Sequence, residues 1–171
     1  LMLFSLPSTF AALDKPKNFR IGGLHDFTDL PLTANGWTDF DTLTDSGYSS
    51  ARVLFVSSSS GNDTNAVNNI ALYGHYSISD VTFDANGIFQ APGGVVPFAT
   101  ISKAYTYCRD GYPDILLLER GGSWNAGLGV PYVNSGSAQT TPHIIASYGN
   151  TGSRPKLTDV EFNSSNKSYI V

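Results

Sequence analysis

The stretch Asp114-Ile115-Leu116-Leu117-Leu118-Glu119-Arg120-Gly121-Gly122-Ser123-Trp124 decides the reading of the fold. Ile115–Leu118 is a continuous apolar run of strand length. A strand with one wet face would alternate apolar and polar side chains, so this one is expected to be buried on both faces and paired in parallel. Gly121-Gly122 turns the chain, and Ser123–Val130 reads as a further extended piece. The pattern then returns. His143-Ile144-Ile145-Ala146-Ser147-Tyr148-Gly149 is a second apolar strand closed by glycine, and Lys156-Leu157-Thr158, Val160-Glu161-Phe162 and Ser168-Tyr169-Ile170-Val171 continue it. Ile115 to Ile144 is 29 positions and Ile144 to Ile170 is 26, with Gly-rich polar turns and no helical pattern between. Parallel strands need long return connections. Where the returns are themselves strands, the chain winds as a β-solenoid whose turns bury apolar residues against one another. On periodicity alone, a β-sandwich with irregular loops stays open as the alternative.

Upstream of this stretch, Pro97–Cys108 carries Ile101, Ala104, Tyr105 and Cys108 at i, i+3, i+4, i+7, which predicts a short amphipathic helix over Phe98–Cys108 stopped by Asp110-Gly111. Arg52–Ser57 reads as a strand, followed by the polar loop Ser58–Asn65. Residues 66–94 have weak periodicity, with a turn at Asp84-Ala85-Asn86-Gly87, and are expected to form a long loop or insertion. Residues 14–50 are turn-rich, an extended lead-in or a short edge element with aromatic patches at Phe27, Trp37, Phe40 and Tyr48.

The composition fits this picture. Charged residues make up 14% of the 171, against about a quarter in soluble domains, while 17 Gly, 9 Tyr and 10 Phe suit strands and turns. The length allows one principal folding unit. With a net charge of −4 and no Lys/Arg cluster, the chain offers no groove for nucleic acid. No run approaches the ~20 apolar residues of a membrane span. Cys108 is the only cysteine, so an intrachain disulfide and a Cys-based zinc site are both ruled out; at an apolar helix position it reads as a buried small hydrophobe. His25, His75 and His143 are scattered and form no catalytic spacing. Residues 1–11, with an apolar run broken by Pro7 and small residues at Thr9 and Ala11, read as the remnant of an export signal lacking its beginning. Met2 as the true start, or an apolar N-terminal strand, are the alternatives.

Taken in order, Leu54-Phe55-Val56-Ser57 with Ser60-Gly61-Asn62-Asp63, then Pro97-Phe98-Ala99-Thr100-Ile101-Ser102-Lys103-Ala104, then Asp114–Trp124, then Ile145-Ala146-Ser147-Tyr148-Gly149, resemble the opening of secreted right-handed parallel β-helix proteins of the pectate-lyase-like superfamily. In that family a YVSxxGND strand and loop precede a PFxTIxxA helix that caps the open end of the solenoid. The first loop here is one serine longer, and Asn65–Val96 exceeds the usual link. The resemblance implies an all-β, right-handed parallel β-helix, with residues 12–50 as lead-in and 51–171 as N-terminal cap and first coils, continuing past Val171. It implies a secreted or cell-surface protein that acts on polysaccharide as a lyase or glycoside hydrolase when intact. The catalytic coils, with calcium as a possible cofactor, are then expected downstream, leaving this segment non-catalytic. A surface adhesin or structural β-helix that binds glycans or self-associates end to end through an open coil is the alternative, since fold does not settle function.

Candidate site residues are few. Asp159 and Glu161 alternate on one expected strand and would share a face, as a carboxylate pair for calcium or acid/base work or as a solvated surface. Trp124, with Trp37 and Tyr132, offers a ring for stacking on sugars, against a packing role where the coil bends inward. Glu119 and Arg120 are expected to make local polar contacts. The Asn62–Asn65 loop lacks the glycine and terminal glutamate of a calcium loop and reads as a turn.

Overall fold

The computed structural model describes residues 39–44, 47–125 and 141–158, with backbone alone at 42–43 and 168–170. The expected signal remnant, most of the lead-in, Trp37, Tyr132, Asp159 and Glu161 lie outside the described residues.

Three apolar strands form the centre: β1 (Val53–Val56), β4 (Ile115–Glu119) and β6 (His143–Tyr148). Each is buried over nearly its whole length, as continuous apolar runs require. They pair in parallel, Val53 to Val56 opposite Ile115 to Leu118, and Ile115 to Glu119 opposite Ile144 to Tyr148. The strand β8 (Ser168–Ile170) adds to β6 in the same direction, with Ile144 opposite Tyr169, 25 positions on where 26 was expected. The hairpin of β2 (Thr82–Phe83) and β3 (Phe89–Gln90) joins the same sheet through Phe89 opposite Tyr148. The sheet curls like half a barrel, and strands with few helices make up the described fold. Beside it, β5 (Ser123–Trp124) and β7 (Lys156–Leu157) form a second parallel pair. The turns leading to these two strands stack as well: Gly121 N–H donates to Ser153 O at 2.7 Å and Arg120 N–H to Tyr148 O at 3.0 Å. Gly121 and Gly152 meet face to face here, and a Cβ on Gly152 would lie 2.9 Å from Gly121 N.

Two apolar layers sandwich the parallel strands. On one face Leu54, Val56, Leu116, Leu118 and Ile145 pack under α3 (Ile101–Tyr105) with Phe98 and Trp124. On the other, Val53, Phe55, Ile115, Leu117, Ile144, Ala146 and Tyr148 meet Tyr48, Val81 and Phe89, with Phe40 of α1 (Phe40–Thr44) and Tyr76 beside them. The expected insertion thus contains organised structure that covers the second face.

Three helices differ from the sequence expectation, the first being α1, which lies in the stretch read as an extended lead-in or edge element. An 11-residue helix, α2 (Asp63–Tyr73), occupies the end of the expected polar loop and the start of the insertion. Only its Ala66 is fully buried, which explains the missing periodicity; Asn62 holds its start by accepting a hydrogen bond from Asn65 N–H at 2.9 Å. By contrast α3 is shorter than the expected Phe98–Cys108, because Thr100 caps it by accepting from Lys103 N–H at 3.3 Å and Pro97–Ala99 stays extended against β1.

That extended piece has a second effect. Phe98 N–H donates to Phe55 O, Ser57 N–H to Phe98 O, and Val53 N–H to Tyr76 O, each at 2.8 Å. The edge of β1 that faces away from β4 is thereby occupied along its length, so its backbone groups offer little to a foreign strand. Asp63 fastens the arrangement: one carboxylate oxygen accepts from Ala99 N–H (2.9 Å) and Thr100 N–H (3.1 Å), the other from the Thr100 hydroxyl (2.8 Å). Two motifs that were merely ordered along the chain are bonded to each other through this side chain.

Candidate functional site

Polar side chains gather at the two ends of the parallel strands. At the starting end, the Asp114 carboxylate is fully buried. It accepts from Arg52 N–H and Arg109 N–H, each at 2.8 Å, and from the Arg109 guanidinium at 2.6 and 3.1 Å. The hydrogen bond to Asp114 holds the guanidinium charged more firmly than usual. Arg109 also donates to Ser50 O and stacks on Tyr112 at 3.8 Å, while Arg52 reaches Tyr107 O at 3.2 Å. Burial pushes the nearby Cys108 thiol up, so it stays protonated and apolar in its layer.

At the finishing end, Glu119 accepts from the hydroxyls of Ser57 and, at 3.0 Å, Ser59. Ser57 Oγ also receives Ser60 N–H at 2.9 Å and lies 2.9 Å from Ser60 Oγ. The result is a half-buried carboxylate clasped by the serine loop after β1. It orders that loop, and Ser57 itself is sealed from solvent. Arg120 turns away and donates to Gly152 O at 3.2 and 3.3 Å.

Of the predicted site residues, Trp124 falls among the described ones. Its ring is 7% exposed in the α3 layer, and its indole N–H donates to Ala99 O at 3.1 Å, tying β5 to the segment that starts α3. Asn62 and Asp63 cap a helix and bridge to Thr100, so the loop read as a turn is the head of α2. The Asp114–Arg109 pair was not singled out from the sequence; the signal available was an Asp directly before a doubly buried strand, where a carboxylate needs a built-in counterion. Among the described residues no three His, Cys, Asp or Glu side chains converge as metal ligands, and no helix is long and apolar enough to cross a membrane. Chemically, the Asp114 cluster neutralises a buried charge, and the Glu119 cluster holds two serine hydroxyls against a carboxylate. No family model, curated protein or solved structure matches the chain.

Proposed function

We propose that this chain is the N-terminal cap and first coils of a right-handed parallel β-helix protein of the pectate-lyase-like kind. It starts the solenoid, while the intact, exported protein acts on polysaccharide as a lyase or glycoside hydrolase. The observation that supports this reading is the repetition of a two-strand unit. β4 is followed by a glycine turn and β5, β6 by a glycine turn and β7, and both pairs stack in parallel register, as successive coils would. The occupied edge of β1 and the apolar layer under α3 suit a cap, because a solenoid's first turn must shield its backbone edge and its core. In this reading Asp159 and Glu161, which follow β7 in the sequence, are the carboxylates offered to substrate or calcium, while the serine clasp and the Asp114 pair do structural work.

The test is to express the open reading frame that contains this chain and incubate it with a panel of acidic and neutral polysaccharides, following unsaturated and reducing ends. Release of such ends by the intact protein, with none from residues 1–171 alone, is expected. Glycan retention without cleavage would replace the enzyme by an adhesin. Absence of both would overturn the carbohydrate reading.

A further inference from the structure

His143 opens β6 and points to the same face as Ile145, into the layer that α3 covers. Its side chain is 1% exposed, neither ring nitrogen has a hydrogen-bond partner among the described residues, and the ring of Tyr105 in α3 lies 6.1 Å away between centroids. A buried imidazole with both nitrogens unmet is a poor choice for packing alone, since polar groups out of water normally find partners. Its position also denies it the obvious one. The register sets it beside Asp114, whose two oxygens already accept from two backbone amides and a guanidinium. Among the described residues the other charged groups that act on it are Arg109 and Asp110, from the segment after α3, and the thiol of Cys108 shares its layer. A neutral ring is tolerated there. A charged one would bring two N–H donors into a dry layer where the nearest carboxylate is saturated.

We propose that His143 is an acid-triggered release for the α3 cap: taking up a proton drives the imidazole out of the layer and loosens α3 from the strands beneath it. Burial, reinforced by Arg109, holds the ring below its ordinary range against the opposing pull of Asp114 and Asp110. Because the closed form binds its proton less readily than the open one, the open form gains as pH falls from about 6.5, the value of a free imidazole, toward the closed-state value, by up to about tenfold per pH unit. Above that window the contribution is fully present and constant. His75 is held low too, by burial and then by Arg52 and Arg109, and acts in the same direction, so the test must separate the two rings.

The experiment is amide hydrogen exchange of the whole chain at pH 7.5 and 5.0, corrected for the intrinsic pH dependence, in the wild type, His143→Phe and His75→Gln. Protection of Ile101–Tyr105 is expected to fall several-fold at the lower pH in the wild type and in His75→Gln, and to be unchanged by pH in His143→Phe. An acid loss that persists in His143→Phe, or its absence from the wild type, overturns the proposal. Should His143→Phe fail to fold, an NMR titration of the wild-type ring decides. Charging that coincides with lost α3 protection supports the release, and charging in the ordinary range with α3 undisturbed sinks it.

Discussion

Asp114 and Glu119 stand at opposite ends of the same strand, five positions apart, and the chain meets their charges by different means. Asp114 is sealed and has a guanidinium fork and two amides; Glu119 is half-buried and has hydroxyls. The contrast follows from burial. A fully desolvated carboxylate needs an opposite charge together with hydrogen bonds on both oxygens, whereas one in partial contact with water is satisfied by neutral donors. The first arrangement fixes where the strand begins. The second organises a loop where it ends.

Three substitutions sharpen that contrast. Asp114→Ala leaves Arg109 without its partner and two buried amides without an acceptor, and should destabilise the protein by about 3–5 kcal/mol, read as a lower urea midpoint. At the other end, Gly61→Ala would place a Cβ against the carbonyl oxygens of Phe98 and Ser57, which belong to backbone and cannot swing aside. The expected loss is about 1–3 kcal/mol, again as a midpoint shift, and it would show that the serine loop is held by close backbone contact as well as by Glu119. Glu119→Gln keeps an acceptor for the serines and should cost about 1 kcal/mol or less in thermal unfolding. A loss as large as that of Asp114→Ala would break the comparison, because the two carboxylates would then carry equal weight.

The strands were legible because their signal is local: Val53–Val56, Ile115–Leu118 and Ile144–Ala146 are unbroken apolar runs, the pattern of a doubly covered strand. The helix α2 was not legible, since its residues Asn65, Asn68 and Asn69 neither favour helix nor mark a face, and its order comes from the Asn62 cap and from Asp63 reaching 36 positions along the chain to Ala99. The length of α3 was misjudged for the same reason: an extended Pro97–Ala99 is dictated by hydrogen bonds to β1, which no local pattern announces. The site was less legible still. Asp159 and Glu161 were read as a pair from alternation, but Asp114 needed Arg109, Arg52 and Ser50 brought together by the fold before its role could be seen.

The long excursion between β1 and β4 also bears on how the chain assembles. Arg52 and Asp114 are 62 positions apart, whereas Ile115 meets Ile144 after 29, so closing the first loop costs about 0.6 kcal/mol more in chain entropy than closing the second. Although β1 leaves the ribosome first, its strand partner β4 emerges some sixty residues later, and Val53-Leu54-Phe55-Val56 must wait for it with only Tyr76 and then Phe98 along its other edge. The helix α2 and the Asp63 bridge to Thr100 lie within that interval, so the newborn chain can fold a local shelter around this apolar tetrapeptide before the strand that will keep it arrives.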